Sequence, residues 1–312
     1  MTARPARRLL AVFAAFTVAA GVFVLEKAHS ENRARGDLSE KDRKRVETVT
    51  ALTTDFSKAE PYEAMSAGAT TSLAKIDRDS FSHFSENIAF EERETFKLGN
   101  ALFQKLWVSS PSSTQASDGL GPLYNARSCQ SCHIKDGRGH PPEGADDATS
   151  MFLRLARAAK TPDEEAALKS FHEMSLPDPI YGRQLQDQAI PGLKAEGRMV
   201  IDYREDPVTL AGGEVVTLRR PTYSVASLAY GHLDPTTTLS PRVTQPMLGL
   251  GLIQAIHEAD ILALADPDDT DGDGISGKAA IALDPATGKQ ALGRFGWKAQ
   301  SATVRQQSAD AF

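Results

Sequence analysis

The chain has 312 residues, 41% hydrophobic, 24% charged and 7% aromatic, which suits a globular protein of about two domains' length and excludes a disordered, collagen-like or multispan membrane chain. Its formal charge of -6 leaves no basic field to gather phosphates, so nucleic acid is excluded as a partner. The two cysteines lie three positions apart, which rules out a disulfide framework.

At the N-terminus Arg4, Arg7 and Arg8 precede an uncharged stretch, Leu9 to Leu25, followed by Glu26, Lys27 and Ala28-His29-Ser30. That is an export signal in outline. Its 17 residues also reach the short edge of the roughly 17–25 that span a bilayer, so residues 1–30 read as a signal peptide or an N-terminal anchor. Losing them removes four basic groups and one acidic group and moves the charge from -6 to -9. Residues 31–89 open on a two-signed run (ENRARGDLSEKDRKRVET) and read as a charged linker or helical lead-in. Phe96, Phe103 and Trp107, with Leu102 and Leu106, fall at helical spacings and predict a helix over 90–108, ended by Ser109-Ser110-Pro111. Gly- and Pro-rich loops over 109–122 and 136–147 flank the cysteines. Met199–Tyr203 and Val215–Leu218 around Gly212-Gly213 predict a hairpin, and residues 251–265 return to helix.

Cys129-Gln130-Ser131-Cys132-His133 has the C-x-x-C-H spacing of covalent haem attachment. Two thiols one helical turn apart can each form a thioether with a haem vinyl group, and the adjacent histidine then reaches the iron as its proximal ligand. A zinc site needs four ligands, and the chain has no second cysteine pair. A thioredoxin-like dithiol usually opens a helix after a strand, whereas Asp118-Gly119-Leu120-Gly121-Pro122 reads as a loop; a dithiol oxidoreductase stays as a third reading. Candidates for the opposite haem face are His140, His172, His232, His257, Met151, Met174, Met199 and Met247. Met247 leads because it lies in an apolar, Gly-rich run, Pro246 to Gly251, although a packed core methionine is the commoner state. A methionine there would raise the potential and favour electron transfer, while an open position would admit peroxide.

In the acidic loop from Asp266 to Gly277, Asp269, Asp271 and Asp273 alternate and Gly274 follows. Alternate carboxylates converge on a hard cation and the glycine permits a sharp turn, so calcium is the natural ion. The twelfth position is Ala280 instead of a glutamate, leaving the Ile275 carbonyl, water or distant residues to complete the shell. A solvated acidic turn is the competing reading.

Taken together, these residues resemble the bacterial di-haem oxidoreductase family, relatives of di-haem cytochrome c peroxidases sometimes labelled thiol oxidoreductases. The matching stretches are Asp118 to His133 (DGLGPLYNARSCQSCH) with Asp136-Gly-Arg-Gly139, then Pro177–Gly197, Leu218-Arg-Arg-Pro-Thr-Tyr223, the acidic loop, and Gly293-Arg-Phe-Gly-Trp-Lys-Ala299. The resemblance implies a periplasmic protein with two haem domains, calcium often being bound near the haems in its peroxidase relatives; the N-terminal segment leaves it free or membrane-anchored facing the periplasm. The fold expected from it is mainly α: a cytochrome c-like haem domain over 90–312 with long loops and a small β-hairpin. One C-x-x-C-H is present, so the chain is expected to be an N-terminal fragment carrying one haem c and lacking its second haem domain. The function implied is a peroxidase-like haem oxidoreductase exchanging electrons with a small redox protein or a peroxide-like substrate. A simple electron-carrying cytochrome is the alternative. Within this reading Tyr124, Asn125 and Arg127 are candidates to hold the macrocycle, and Arg219 or Arg220 to neutralise its propionates. Trp107 and Trp297 are conceivable electron way stations, core packing being the commoner role.

Overall fold

A computed structural model describes residues 36–51, 53–60, 62–142, 149–170 and 173–311. The export segment and His172 therefore lie outside the described residues. The chain divides into two units, Met1–Thr50 and Ala51–Phe312. In the first, α1 (Glu40–Thr50) buries no residue and is held by local polar groups. Ser39 Oγ accepts from the Asp42 backbone N–H at 3.1 Å, and Lys44 pairs with Glu40 one turn away at 3.0 Å. Among the described residues no helix is long and apolar enough to cross a membrane.

In the second unit three short 3-10 helices precede α2 (Glu92–Gln104), which is followed by β1 (Val108–Ser109), β2 (Asp118–Leu120), β3 (Leu123–Tyr124) and α3 (Cys129–Cys132). Next come β4 (Met151–Ala156), α4 (Pro162–Lys169), β5 (Gln188–Ala189), β6 (Arg198–Thr209), β7 (Val215–Ala226) and β8 (Thr238–Val243). The last elements are α5 (Leu250–Ala255), α6 (Glu258–Leu262), β9 (Ile281–Asp284), β10 (Lys289–Leu292) and α7 (Val304–Ala309). The strands pair two by two: β1–β2 parallel, and β3–β5, β4–β8, β6–β7 and β9–β10 antiparallel.

This architecture corrects the expectation of a mainly α, cytochrome c-like domain. Helix accounts for 26% of the described residues and strand for 23%. The expected helix is present as α2, but residues 251–265 form two helices of 6 and 5 residues, too short to build a bundle. The expected hairpin is present and far longer, with 12 residues in each of β6 and β7. The overlooked signal is Met151–Ala156, whose sequence Met-Phe-Leu-Arg-Leu-Ala has the two-residue period of a half-buried strand.

That strand builds the core. Met151, Leu153 and Leu155 point inward and are 3%, 1% and 1% exposed, while the alternate residues stay half-buried. Leu153 and Leu155 pack with Tyr181 and Leu185, and Met199, Tyr223, Val225 and Leu239 close around them from the root of the long hairpin and from β8. Each such leucine contributes about 1.5–3 kcal/mol by leaving water. Asp178, 2% exposed, ties the loops over this core. Its Oδ1 accepts from the backbone N–H groups of Ile180 and Tyr181 at 2.9 and 3.0 Å, and Oδ2 from Asp234 N–H and the Thr237 hydroxyl at 2.9 and 2.8 Å. Burial by itself would raise the Asp178 pKa, but these four bonds to the ionised form outweigh it and hold the carboxyl below its ordinary value.

Candidate functional site

The cysteine motif is a single turn of helix pinned at both ends. Ser128 caps α3 in extended backbone, its Oγ accepting from Ser131 N–H at 3.1 Å, and His133 N–H closes the turn on the Cys129 carbonyl at 2.9 Å. Upstream, β3 is paired to β5, and Asn125 locks the junction. Its amide donates to the Leu185 carbonyl (2.9 Å) and Asp187 Oδ1 (3.0 Å), and its Oδ1 accepts from Gln184 (2.5 Å). Asn125 thus spends its side chain on the protein itself. Arg127 donates to the Trp107 carbonyl at 3.0 Å while Trp107 N–H donates to the Arg127 carbonyl at 2.8 Å, which fastens the loop to the end of α2.

Downstream, the end of the β4–β8 ladder holds the motif. Thr244 Oγ1 donates to the Cys132 carbonyl at 2.6 Å, Cys132 Sγ donates to the Thr149 carbonyl at 3.0 Å, and Ser150 Oγ accepts from His140 N–H at 3.1 Å. His133 Nδ1 lies 2.7 Å from the Gln245 carbonyl. A carbonyl can only accept, so Nδ1 carries the proton and donates, and Nε2 keeps its lone pair. Burial pushes the His133 pKa down, which keeps the ring neutral. The Phe103 ring of α2 lies 6.2 Å from the imidazole, centroid to centroid. Sequence reasoning missed Thr149 and Gln245, and no residue-type signal could have found them, because each acts through its backbone carbonyl.

Both cysteines are free and half-buried. Burial raises the Cys129 pKa; burial, with the neighbouring Asp187 carboxylate and Cys129, pushes that of Cys132 up to about 11. Asp187 is itself raised by burial, against the bond from Asn125.

The other sequence candidates scatter. Met151 is buried in the core, Met199 packs against it, and Met174 lines a surface cavity with Arg183 and Asp310. Met247 is half-buried, and its N–H donates to the Asp136 carbonyl at 2.8 Å, two residues along the strap from Gln245. His140 Nδ1 bonds the Pro141 carbonyl at 2.9 Å, and His257 Nδ1 accepts from Ala259 N–H at the start of α6. Arg220 is paired with Asp206 across the hairpin at 2.6 Å, and Arg219 lies over the Tyr203 ring. Trp297 is 58% exposed, with Arg242 over its ring.

In the acidic loop the oxygens of Asp266, Asp269 and Asp271 lie within 4.8 Å of one another. Asp273 stands outside that group, its Oδ1 accepting from Ile275 N–H at 2.7 Å. Gly272 and Gly274, at φ +73° and +85°, supply the left-handed turns the loop requires.

No curated protein and no solved structure matches the chain. The sequence model of a family described as "Di-haem oxidoreductase, putative peroxidase" matches residues 62–312. With that match over most of its length, the chain belongs to the di-haem oxidoreductase family.

Proposed function

We propose that the chain is a c-type haem oxidoreductase of the periplasm, holding one haem through Cys129 and Cys132 with His133 on the iron, and passing electrons between a small redox protein and a peroxide-like substrate. The observation that carries the reading is the fixed His133 ring. Its Nδ1–H is held by the Gln245 carbonyl beside two free thiols one turn apart, leaving Nε2 as the ligand atom. A backbone carbonyl placed behind a metal-binding imidazole in this way sets its tautomer and orientation. Cys129 and Cys132 are matched to attachment: each adds S–H across a vinyl double bond, forming one C–S bond and moving the thiol proton to carbon. The group so held supplies one-electron redox chemistry, with its potential set by axial ligand and burial.

The raised thiol pKa values weigh against the dithiol reading, because a redox-active cysteine is poised by a lowered one. A simple electron carrier differs from a peroxidase in having a saturated iron. The test is the absorption spectrum of the matured protein, reduced and then exposed to peroxide: reoxidation with a spectral change at the iron is expected, and a spectrum blind to peroxide favours the carrier. Cys132→Ser is expected to abolish retention of haem through two thioethers under denaturation. A variant that still retains it that way refutes the attachment.

A calcium ion in the acidic loop is the second part of the proposal, supported by the three converging carboxylates of Asp266, Asp269 and Asp271. Calcium at a hundredfold excess over its Kd is expected to stabilise the protein by about 2.7 kcal/mol, an effect absent from Asp269→Asn/Asp271→Asn. Thermal stability indifferent to calcium in the unaltered protein removes the ion.

A further inference from the structure

Two guanidinium groups on the β4–β8 ladder have no carboxylate in ion-pair reach among the described residues. Arg154 stands opposite Ser240 and Arg242 opposite Phe152, so the two are diagonal neighbours on one face of the ladder. Alternation puts Ser150 and Thr244 on that same face, and these hold His140 and the Cys132 carbonyl. The arginine-bearing face is therefore continuous with the cysteine motif. Arg242 is two residues, about 7 Å of strand, from the threonine bonded to Cys132.

Both arginines are half-buried. Arg154 lies over the Phe152 ring at 5.6 Å and Arg242 over Trp297 at 5.2 Å. The other charged groups facing Arg154 are Arg183, already paired with Glu173 at 2.6 Å, and Asp310, which accepts from Ser301 Oγ at 3.0 Å. Burial, followed by the Arg242 charge, holds the Arg154 pKa below its ordinary value. Like charges gathered at partial burial cost stability unless an anion joins them.

We propose that Arg154 and Arg242 form the carboxylate anchor for the propionate edge of the haem attached at Cys129 and Cys132. The inference rests on the attachment reading above. The carboxylate edge of such a haem is the one away from its thioether bonds, so its anchor must stand off from the cysteines on an element rigidly joined to them. Strand β8 meets that condition, since it carries Arg242 and the chain leaves its end directly through Thr244, bonded to the Cys132 carbonyl, to Gln245, whose carbonyl holds His133. Planar guanidinium groups give the bidentate geometry a carboxylate takes. Arg219 and Arg220, the candidates from sequence, are exposed on the hairpin, and Arg220 is already paired with Asp206.

The test uses the matured holoprotein and Arg154→Gln, Arg242→Gln and Arg242→Lys, reading covalent haem, the propionate vibrational band and the midpoint potential across neutral pH. The unaltered protein and R242K are expected to hold a potential flat with pH, because the propionates stay ionised. In each glutamine variant the propionate takes up a proton on reduction, so the potential slopes toward one proton per electron and the band shifts. Glutamine variants that keep their haem with curve and band unchanged overturn the anchor while leaving the attachment intact. Excess acetate that stabilises the unaltered holoprotein but not R154Q marks a site open to free anions, and overturns the propionate assignment. An unaltered chain that matures without haem overturns both readings.

Discussion

Gly139 is the tightest point between the motif loop and the ladder, and Gly139→Ala is expected to loosen both. Its N–H donates to the Thr244 carbonyl at 3.1 Å. A Cβ there would stand 2.4 Å from Thr244 Oγ1 and 2.7 Å from both Cβ and the carbonyl oxygen of Ser150. Thr244 can turn away only by giving up the Cys132 carbonyl, and the Ser150 carbonyl cannot retreat without opening its bond from Thr244 N–H, 3.1 Å, at the ladder's end. Overpacking costs about 1–3 kcal/mol and the lost hydrogen bond about 0.5–1.5, so a loss of about 2–4 kcal/mol is expected. Urea unfolding followed by circular dichroism measures it, with haem retention after maturation as the second readout. Thr244→Ala should relieve part of the clash, so the double mutant should show a coupling of about 0.5 kcal/mol or more. A Gly139→Ala loss below about 0.5 kcal/mol, the range of an ordinary surface change, would refute the packing argument.

Asp178→Asn replaces one of two oxygens that each accept two hydrogen bonds; losing two bonds to a charged group at about 1.5–3 kcal/mol each predicts a deficit of about 3–6 kcal/mol near neutral pH. Because the folded Asp178 pKa is depressed, its contribution is present above the unfolded value of about 4 and is lost as pH falls through the folded one. Unfolding curves of parent and variant should accordingly converge on acidification, and a constant gap would show that the charge is not what matters. Met247→Leu is expected to leave the iron's absorption spectrum unchanged, since Gln245, two residues before Met247 on the same strap, meets His133 at Nδ1, the ring nitrogen that does not ligate the metal. Loss of a sulfur-to-iron band in that variant would put the Met247 thioether on the metal.

Local chemistry is legible in the amino-acid order alone. The C-x-x-C-H spacing needs only one helical turn, the α2 stripe only a 3.6-residue period, and the hairpin only its turn glycines between β-rich runs. Met151–Ala156 could have been read as a strand from its alternation, yet its partner β8, more than eighty residues away, is chosen by core packing and leaves no mark in either segment. The acidic loop shows the same division: alternation selected Asp273, whereas the left-handed turn at Asp269 folds Asp266 back into the group instead. The motif's surroundings belong wholly to the tertiary structure. The acceptor for His133 is a backbone carbonyl 112 residues away, and a carbonyl has no side-chain identity for a sequence to display. Sequence determined which atoms can do the chemistry; long-range packing decided which way the imidazole faces and which arginines, among the described residues, stand without a carboxylate in ion-pair reach.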